Sequence, residues 1–320
     1  MESFEDIFSY WRQSNYPLRW DCPFVLPPWL KAWWNTFGST SEIYLCAVRH
    51  AQDLIGLAPL RIIGQSAAFI GSTNVCDYQD FIVAPGKSDV FFSVLLDNLS
   101  QQGITRLDLK PLRPESMVLT KLTKVAKAKG CNVVCHPMDV ALELDLPATW
   151  DEYMLMLKGK QRHEVRRKLR RLAEAGNIRY RVVEDVRDVR QEVEIFFELF
   201  KSSREDKEVF MTDEMALFFR SMTEAMATKK MIKFYVLDLN GKAVATALCV
   251  DYKSRTYLYN NGFDVNFNSL SVGLLCKIFS IRDSIRKGQK KYDFLKGCET
   301  YKYRLGGQEV PLHECEIQLR

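Results

Sequence analysis

The chain has 320 residues, 47% of them hydrophobic and 27% charged, with a net charge of +5. That length exceeds what one hydrophobic core usually serves, so two domains are expected, and the composition excludes a disordered or low-complexity chain. The basic character is local: residues 158–171, KGKQRHEVRRKLRR, hold eight Lys/Arg against one Glu, while the remainder has 37 basic and 39 acidic residues. A local patch of this kind implies a local anionic partner rather than general stickiness.

The first residues, MESFEDIFSYWRQSNY, lack the basic start and apolar run of a signal peptide, and no segment reaches the roughly 20 apolar residues that span a bilayer. A cytoplasmic location is therefore expected. The nine cysteines are scattered, several within apolar runs such as Ala247–Val250, which predicts reduced core cysteines rather than a disulfide framework. Pro27-Pro28 opens a helix over WLKAWWNTF. EIYLCAVRH and LIGLAPLRII read as a hairpin, SAAFIG and DFIVAP as buried strands, and VFFSVLLDNLSQQG as a helix stopped by Gly. ITRLDLKPL alternates as a strand, ESMVLTKLTKVAKAKG is an amphipathic helix, and CNVVCHPMDVALELDL returns to strand.

A boundary is expected near residue 147, dividing 1–146 from 147–320. The second half opens with a helix over TWDEYMLML, capped by Thr149. The basic segment follows as a helix, with Leu155, Val165, Leu169 and Leu172 as its apolar stripe and Arg162, Arg166 and Arg170 along one flank. IRYRVVE is a strand, and two helices run to Lys230. MIKFYVLDLNGKAVATALCVDY is a hairpin turning at Asn240-Gly241. RTYLYNNGF is a strand, SVGLLCKIFSIRDSIRKG a helix and YDFLKG a short strand. Each half thus interleaves helices and strands around a mixed, mainly antiparallel sheet, an α/β (α+β) architecture.

Four constellations can carry chemistry. The strand ending at Asn260, Asn261 and Gly262 leads into a helix that Ser269 or Ser271 can cap. Its free N–H groups suit a phosphate, and Gly273 allows close approach; an ordinary capped connection reads the same way. YDFLKGCETYKYRLGG concentrates Asp293, Glu299, Tyr301, Lys302, Tyr303 and Arg304. If ETYKY is extended, Glu299, Tyr301 and Tyr303 share a face and can supply a base and an acid, or it is a solvated edge strand. The basic helix is either a solvated face or an anion site in which Arg162 and Arg166 meet a phosphorylated substrate or a tRNA backbone. Asp77, Tyr78 and Asp80 form an acidic turn or an acceptor-binding loop. Cys131, Cys135 and His136 are too few for a closed zinc site, and no metal is expected. Phosphate-binding, dinucleotide and nucleophile-elbow fingerprints are absent.

Four segments, CDYQDFIV, LPATWDEYMLMLKGKQRHEVRRKLRRL, YNNGFDVNFNSLSVGLL and YDFLKGCETYKYRLGG, resemble in order the CelD/BcsL-type acetyltransferase family of the GNAT superfamily. The layout is also similar to the FemABX aminoacyl-transferases, with Lys302 standing where those carry the lysine of a Phe-Lys pair. The resemblance implies two tandem GNAT-like domains and acyl transfer to an amine or hydroxyl, from acetyl-CoA or another acyl-CoA, or from aminoacyl-tRNA in FemABX relatives. On it, Asp293, Glu299, Tyr301 and Lys302 are catalytic, Asn260, Gly262, Ser269, Ser271 and Gly273 hold the donor, and Asp77, Tyr78, Asp80, Arg162 and Arg166 meet the acceptor. An envelope polysaccharide or related glycan precursor is the implied acceptor. The chain departs from the standard GNAT pyrophosphate signature: only Gly273 of the spaced glycines remains, and Val272 stands where relatives often carry Pro. The reading from another class is a noncatalytic protein that docks on nucleic acid or another anion through the basic helix.

Overall fold

The computed structural model describes residues 2–13 and 16–319, which separate into two units, Met1–Val140 with Val310–Arg320 and Ala141–Glu309. The division falls at 140/141 rather than at 147, and the last strand returns to the first unit. A chain-end strand that pairs back across the sequence leaves no local signal of where it docks.

In the first unit α1 (Phe4–Arg12) is held by a capping box between Ser3 and Asp6, and α2 (Pro27–Phe37) starts on its two prolines. β1 (Glu42–His50) and β2 (Asp53–Ile63) form the expected hairpin. β3 (Ser66–Phe69), β4 (Ile82–Val83), α3 (Ser88–Gln101) and β5 (Arg106–Leu112) follow. DFIVAP gives only the two-residue β4, because Asp80 is engaged elsewhere. A helical turn at Val118–Leu122 continues into α4 (Thr123–Ala128), and the chain then enters β6 (Asn132–Asp145). Strands run β1-β2-β3-β5 and on to β12 (Gln308–Gln318), which pairs antiparallel with β5 over His313–Gln318. β3 and β5 are parallel, joined across α3. Phe69, Phe81, Phe91 and Phe92 centre the core. Cys135 and Cys315 are joined by a disulfide, contrary to the expectation of reduced cysteines. They lie 180 residues apart, and only strand pairing brings them together.

The second unit takes the end of β6 from Ala141, then α5 (Trp150–Met156), whose Thr149–Glu152 capping box bears out the expected cap. After α5 come α6 (Gly159–Glu174), β7 (Ile178–Val183), α7 (Val186–Ser203), α8 (Glu205–Phe210) and α9 (Asp213–Ala227). β8 (Ile232–Leu239) and β9 (Lys242–Tyr252) turn through Asn240 and Gly241, both at positive φ as such a hairpin requires. β10 (Arg255–Phe263), α10 (Val272–Arg286), β11 (Lys291–Lys296) and α11 (Thr300–Arg304) complete it. The strand order is β6-β11-β10-β9-β8-β7, antiparallel except for β10 and β11. Both units therefore contain a parallel pair bridged by a helix, β3–α3–β5 and β10–α10–β11.

Neighbouring residues of β8 show how helices cover both faces of this sheet. Phe234 meets Phe196 of α7, whereas the hydroxyl of Tyr235 donates to Asp283 of α10. Gly262 is what lets α7 lie on β10: a Cβ there would stand 2.4 Å from the backbone of Leu199 and Phe200. Gly262, which the resemblance assigns to donor binding, is held as glycine by this helix packing. Among the described residues, no helix is long and apolar enough to cross a membrane.

Candidate active site

β10 and β11 hydrogen-bond in parallel only from Arg255/Lys291 to Tyr257/Asp293, and then part. Each carries an irregularity at the parting point, β10 between Leu258 and Asn260 and β11 between Asp293 and Leu295. Such bulges end pairing and re-aim backbone groups. The edge of β10 beyond Leu258 is thereby freed for other partners. One has arrived: Lys207 Nζ of α8 donates to the Asn261 carbonyl at 2.5 Å.

α10 begins beside this opening. Ser271, at φ 58°, turns the chain into the helix, and its carbonyl accepts the N–H groups of Leu274 and Leu275, each at 3.0 Å. The N–H groups of Val272 and Gly273 lack a carbonyl one turn back, like those of any first turn. Lys168 of α6 donates to Ser271 Oγ, so an ammonium joins the positive end of the helix dipole. Ser269 is exposed in the preceding Val265–Leu270 turn and does not cap. Gly273 serves packing: a Cβ would meet the Phe263 ring at 2.7 Å.

ETYKY is helical, not extended, and this regroups its residues. At a period of 3.6 Glu299 stands next to Lys302 rather than in a row with Tyr301 and Tyr303. Tyr303 is exposed and bonds Glu309, and Arg304 is also exposed. Lys302 is only 2% exposed; its ammonium donates to the carbonyls of Leu295 (3.1 Å), Lys296 (2.6 Å) and Gly297 (3.1 Å) and pairs with Glu299 (2.9 Å). It fixes the loop after β11. Asp293 is fully buried, accepting from Arg255 at 3.0 Å and from the Leu295 N–H at 2.9 Å. Arg255 also pairs with Glu143, and Lys291 bridges Glu143 and Asp145. Asp293 thus locks the paired half of the two strands.

Two lysines at the opening were not singled out from the sequence. Lys277 of α10 is buried, donates to the Gly273 carbonyl at 3.1 Å and stands 4.6 Å from the centre of the Tyr301 ring. Burial lowers its pKa to about 8. Lys207 is lowered to about 7, by burial first and then by the charges of Lys277 and Arg204. Burial also raises the Tyr301 phenol, aided by Glu299, so it stays neutral. A lone Lys277 inside the apolar helix run VGLLCKIFSI was the available signal. Lys207 had none, since it sits in the fully charged run REDKE. Perturbed lysines converging on an opened strand edge mark a functional site better than either element alone.

The basic helix is partly committed. Glu164 holds Arg167 (2.7 Å) and Lys168 (3.4 Å), and Arg162 leans on the carbonyls of Met154 and Leu155 at 3.5 Å. Arg166, Arg170 and Arg171 are exposed. Val165 and Leu172 are buried as expected, but Leu155 belongs to α5 and is 70% exposed, because the helix breaks at Leu157–Lys158. A groove of about 450 Å³ runs between Lys158 and Gln161 at its start and Thr300, Tyr303 and Arg304. A separate cavity of about 610 Å³ lies against the later turns of α10, between Trp150, Tyr180 and Phe279.

The acidic turn lies in the first unit and is structural in its contacts. Asp80 accepts from the N–H groups of Met117 (2.7 Å), Phe81 (2.9 Å) and Val118 (3.3 Å), capping the Val118–Leu122 turn; burial pushes its carboxyl up to about 7. Tyr78 is buried, with the Arg113 guanidinium 4.8 Å from its ring centre. Asp77 is half-buried. Among the described residues, no cluster of three or more His, Cys, Asp or Glu could hold a metal ion.

Residues 159–303, which hold this opening, match a family model described as an acetyltransferase (GNAT) domain. No curated protein sequence matches the chain. Among solved structures the chain is similar to FemX, at a TM-score of 0.66 and 11% identity, covering 98% of this chain and 96% of that one. A conserved protein of unknown function from Bacteroides thetaiotaomicron gives 0.62 at 11% identity, covering 99% and 98%. The C-terminal domain (DUF2156) of an Agrobacterium fabrum protein named as a lysylphosphatidylglycerol synthetase gives 0.60 at 12%, covering 99% and 92%. At these identities the likeness is one of fold. Residues 159–303 thus match a GNAT acetyltransferase domain, and the chain folds as two α/β units with mixed, mainly antiparallel sheets.

Proposed function

We propose that the second unit transfers an acyl group from acyl-CoA, with acetyl-CoA as the working donor, to a glycan-precursor acceptor of the cell envelope, as in CelD/BcsL-type relatives, and that it does so in the cytoplasm. The observation that carries this reading is the parting of β10 and β11 beside the first turn of α10. The N–H groups of Val272 and Gly273, with Lys168 at Ser271, would receive the pyrophosphate. The thioester would then lie along the opened edge at Asn260–Gly262, where backbone N–H groups can meet the developing oxyanion. Holding donor and acceptor together supplies much of the rate. Tyr301, kept a neutral phenol, would donate a hydrogen bond to the leaving sulfur. Lys302, Asp293 and Glu299 act by fixing the loop and strand that shape the cleft. The groove at Lys158 and Arg304 suits an anionic acceptor.

A second reading, aminoacyl-tRNA-dependent transfer of the FemABX kind, is favoured by the exposed Arg166, Arg170 and Arg171 and by the FemX-like fold. A noncatalytic nucleic-acid binder would use the same face. Thermal unfolding with acetyl-CoA, CoA or uncharged tRNA separates the three. Acetyl-CoA at about 100 times its dissociation constant is expected to stabilise the protein by about 2.7 kcal/mol. No stabilisation by either CoA species, together with tRNA binding that falls steeply with salt, would replace this reading by the tRNA ones.

A further inference from the structure

We infer that Lys207 is the base that takes the proton from the attacking nucleophile, and that this nucleophile is a hydroxyl rather than an ammonium-bearing amine. The inference rests on the acyltransferase reading and adds to it a residue from α8 and a class of acceptor. Lys207 Nζ stands on the opened edge of β10, bonded to the Asn261 carbonyl at 2.5 Å, and lies 4.5 Å from the centre of the Phe200 ring. This is the edge along which the acyl carbonyl would lie. An amine held by one N–H bond keeps its lone pair for an incoming proton.

The carboxylates do not serve as well. Asp293 is fully buried between Arg255 and the Leu295 N–H. Glu299 is paired with Lys302 at 2.9 Å. The charged groups that face Lys207 are Lys277 of α10, Arg204 at the α7–α8 junction, Asp206 of its own helix and Glu299 before α11. Burial, then Lys277 and Arg204, bring it to about 7, against the smaller opposing pull of Asp206 and Glu299. A base poised at working pH is what proton abstraction from an acceptor needs.

The same charges choose the acceptor. Around the Lys207 amine the cations are Lys277 and Arg204, with Lys302 facing Lys277, against the carboxylates of Asp206 and Glu299. A substrate ammonium would add a like charge where solvent is scarce, and a neutral hydroxyl avoids that cost. As the hydroxyl oxygen bonds to the thioester carbon, its proton passes to Lys207 Nζ. The C–S bond then breaks, its electron pair leaving on the CoA sulfur. The Lys207 ammonium gives its proton to that thiolate, directly or through water, leaving an ester, CoA thiol and the starting amine.

Trace labelling of the full chain with limiting acetic anhydride between pH 5 and 11, with and without CoA, tests this. Peptide mass spectrometry follows Lys207, with exposed Lys160 as the reference for reagent access. Lys207 is expected to titrate with a midpoint near 7 and to lose at least tenfold in labelling when CoA is bound. A midpoint at the ordinary lysine value of about 10.4 overturns the base assignment. A midpoint near 7 with no protection, while CoA still raises the melting temperature, places Lys207 away from the donor and also overturns it, leaving the acyl-CoA reading intact. A missing thermal shift with CoA removes that reading and this proposal together, independently of the label.

Discussion

Gly262→Ala is expected to destabilise the protein by about 3 kcal/mol or more, the upper part of the range for overpacking. The added Cβ would stand 2.4 Å from the Leu199 carbonyl carbon and the Phe200 nitrogen. Those are main-chain atoms near the C-terminal end of α7, so no rotamer change relieves the contact. The helix must lift from β10, and with it Phe196 and Phe200, which pack beneath it. Gly273→Ala provides the contrast, because its Cβ would meet only the Phe263 ring, a side chain that can turn aside. Urea unfolding followed by circular dichroism compares the two. Equal midpoints would show that α7 does not depend on the missing side chain at 262.

Lys302→Met is expected to cost about 3–5 kcal/mol, as for removal of one partner from a buried ionic cluster. The substitution leaves the carbonyls of Leu295, Lys296 and Gly297 without their donor and Glu299 without its cation. The loop that carries Tyr301 would then lose its anchor. Tyr303→Phe, one residue away but 40% exposed, should change stability by less than about 0.5 kcal/mol. If both variants unfold at the same denaturant concentration, Lys302 is not the anchor described above.

Much of the second unit could be read from its local patterns. Asn240-Gly241 fixed the β8–β9 hairpin, the Thr149–Glu152 pair opened α5, and the run from Val272 formed the helix that meets the cleft. What failed depended on burial and on contacts distant in sequence. ETYKY alternates polar and aromatic residues as a strand would, yet the Lys302 ammonium draws three loop carbonyls around itself and the segment coils into α11. Leu155 matched the α6 stripe by spacing, but the break at Leu157–Lys158 put it on another helix. Cys135 and Cys315 met through strands that no local signal pairs. Lys207 acquires its character from burial first, then from Lys277 on a different helix, and it is held by a carbonyl on β10 that only the parting of two strands exposes.

On the function proposed above, the start of α10, with Lys168 beside it, receives the phosphates of an acyl-CoA. Calorimetric titration of CoA into the wild-type protein and into Lys168→Glu tests it directly. A charge reversal at a phosphate contact is expected to weaken binding by at least about tenfold, the scale of one charge-assisted hydrogen bond lost and a repulsion gained. Saturable binding to the wild type that falls by that factor in Lys168→Glu is the predicted result. Equal affinities would remove Lys168 from the donor site, and no binding to the wild type would remove the acyl-CoA reading itself.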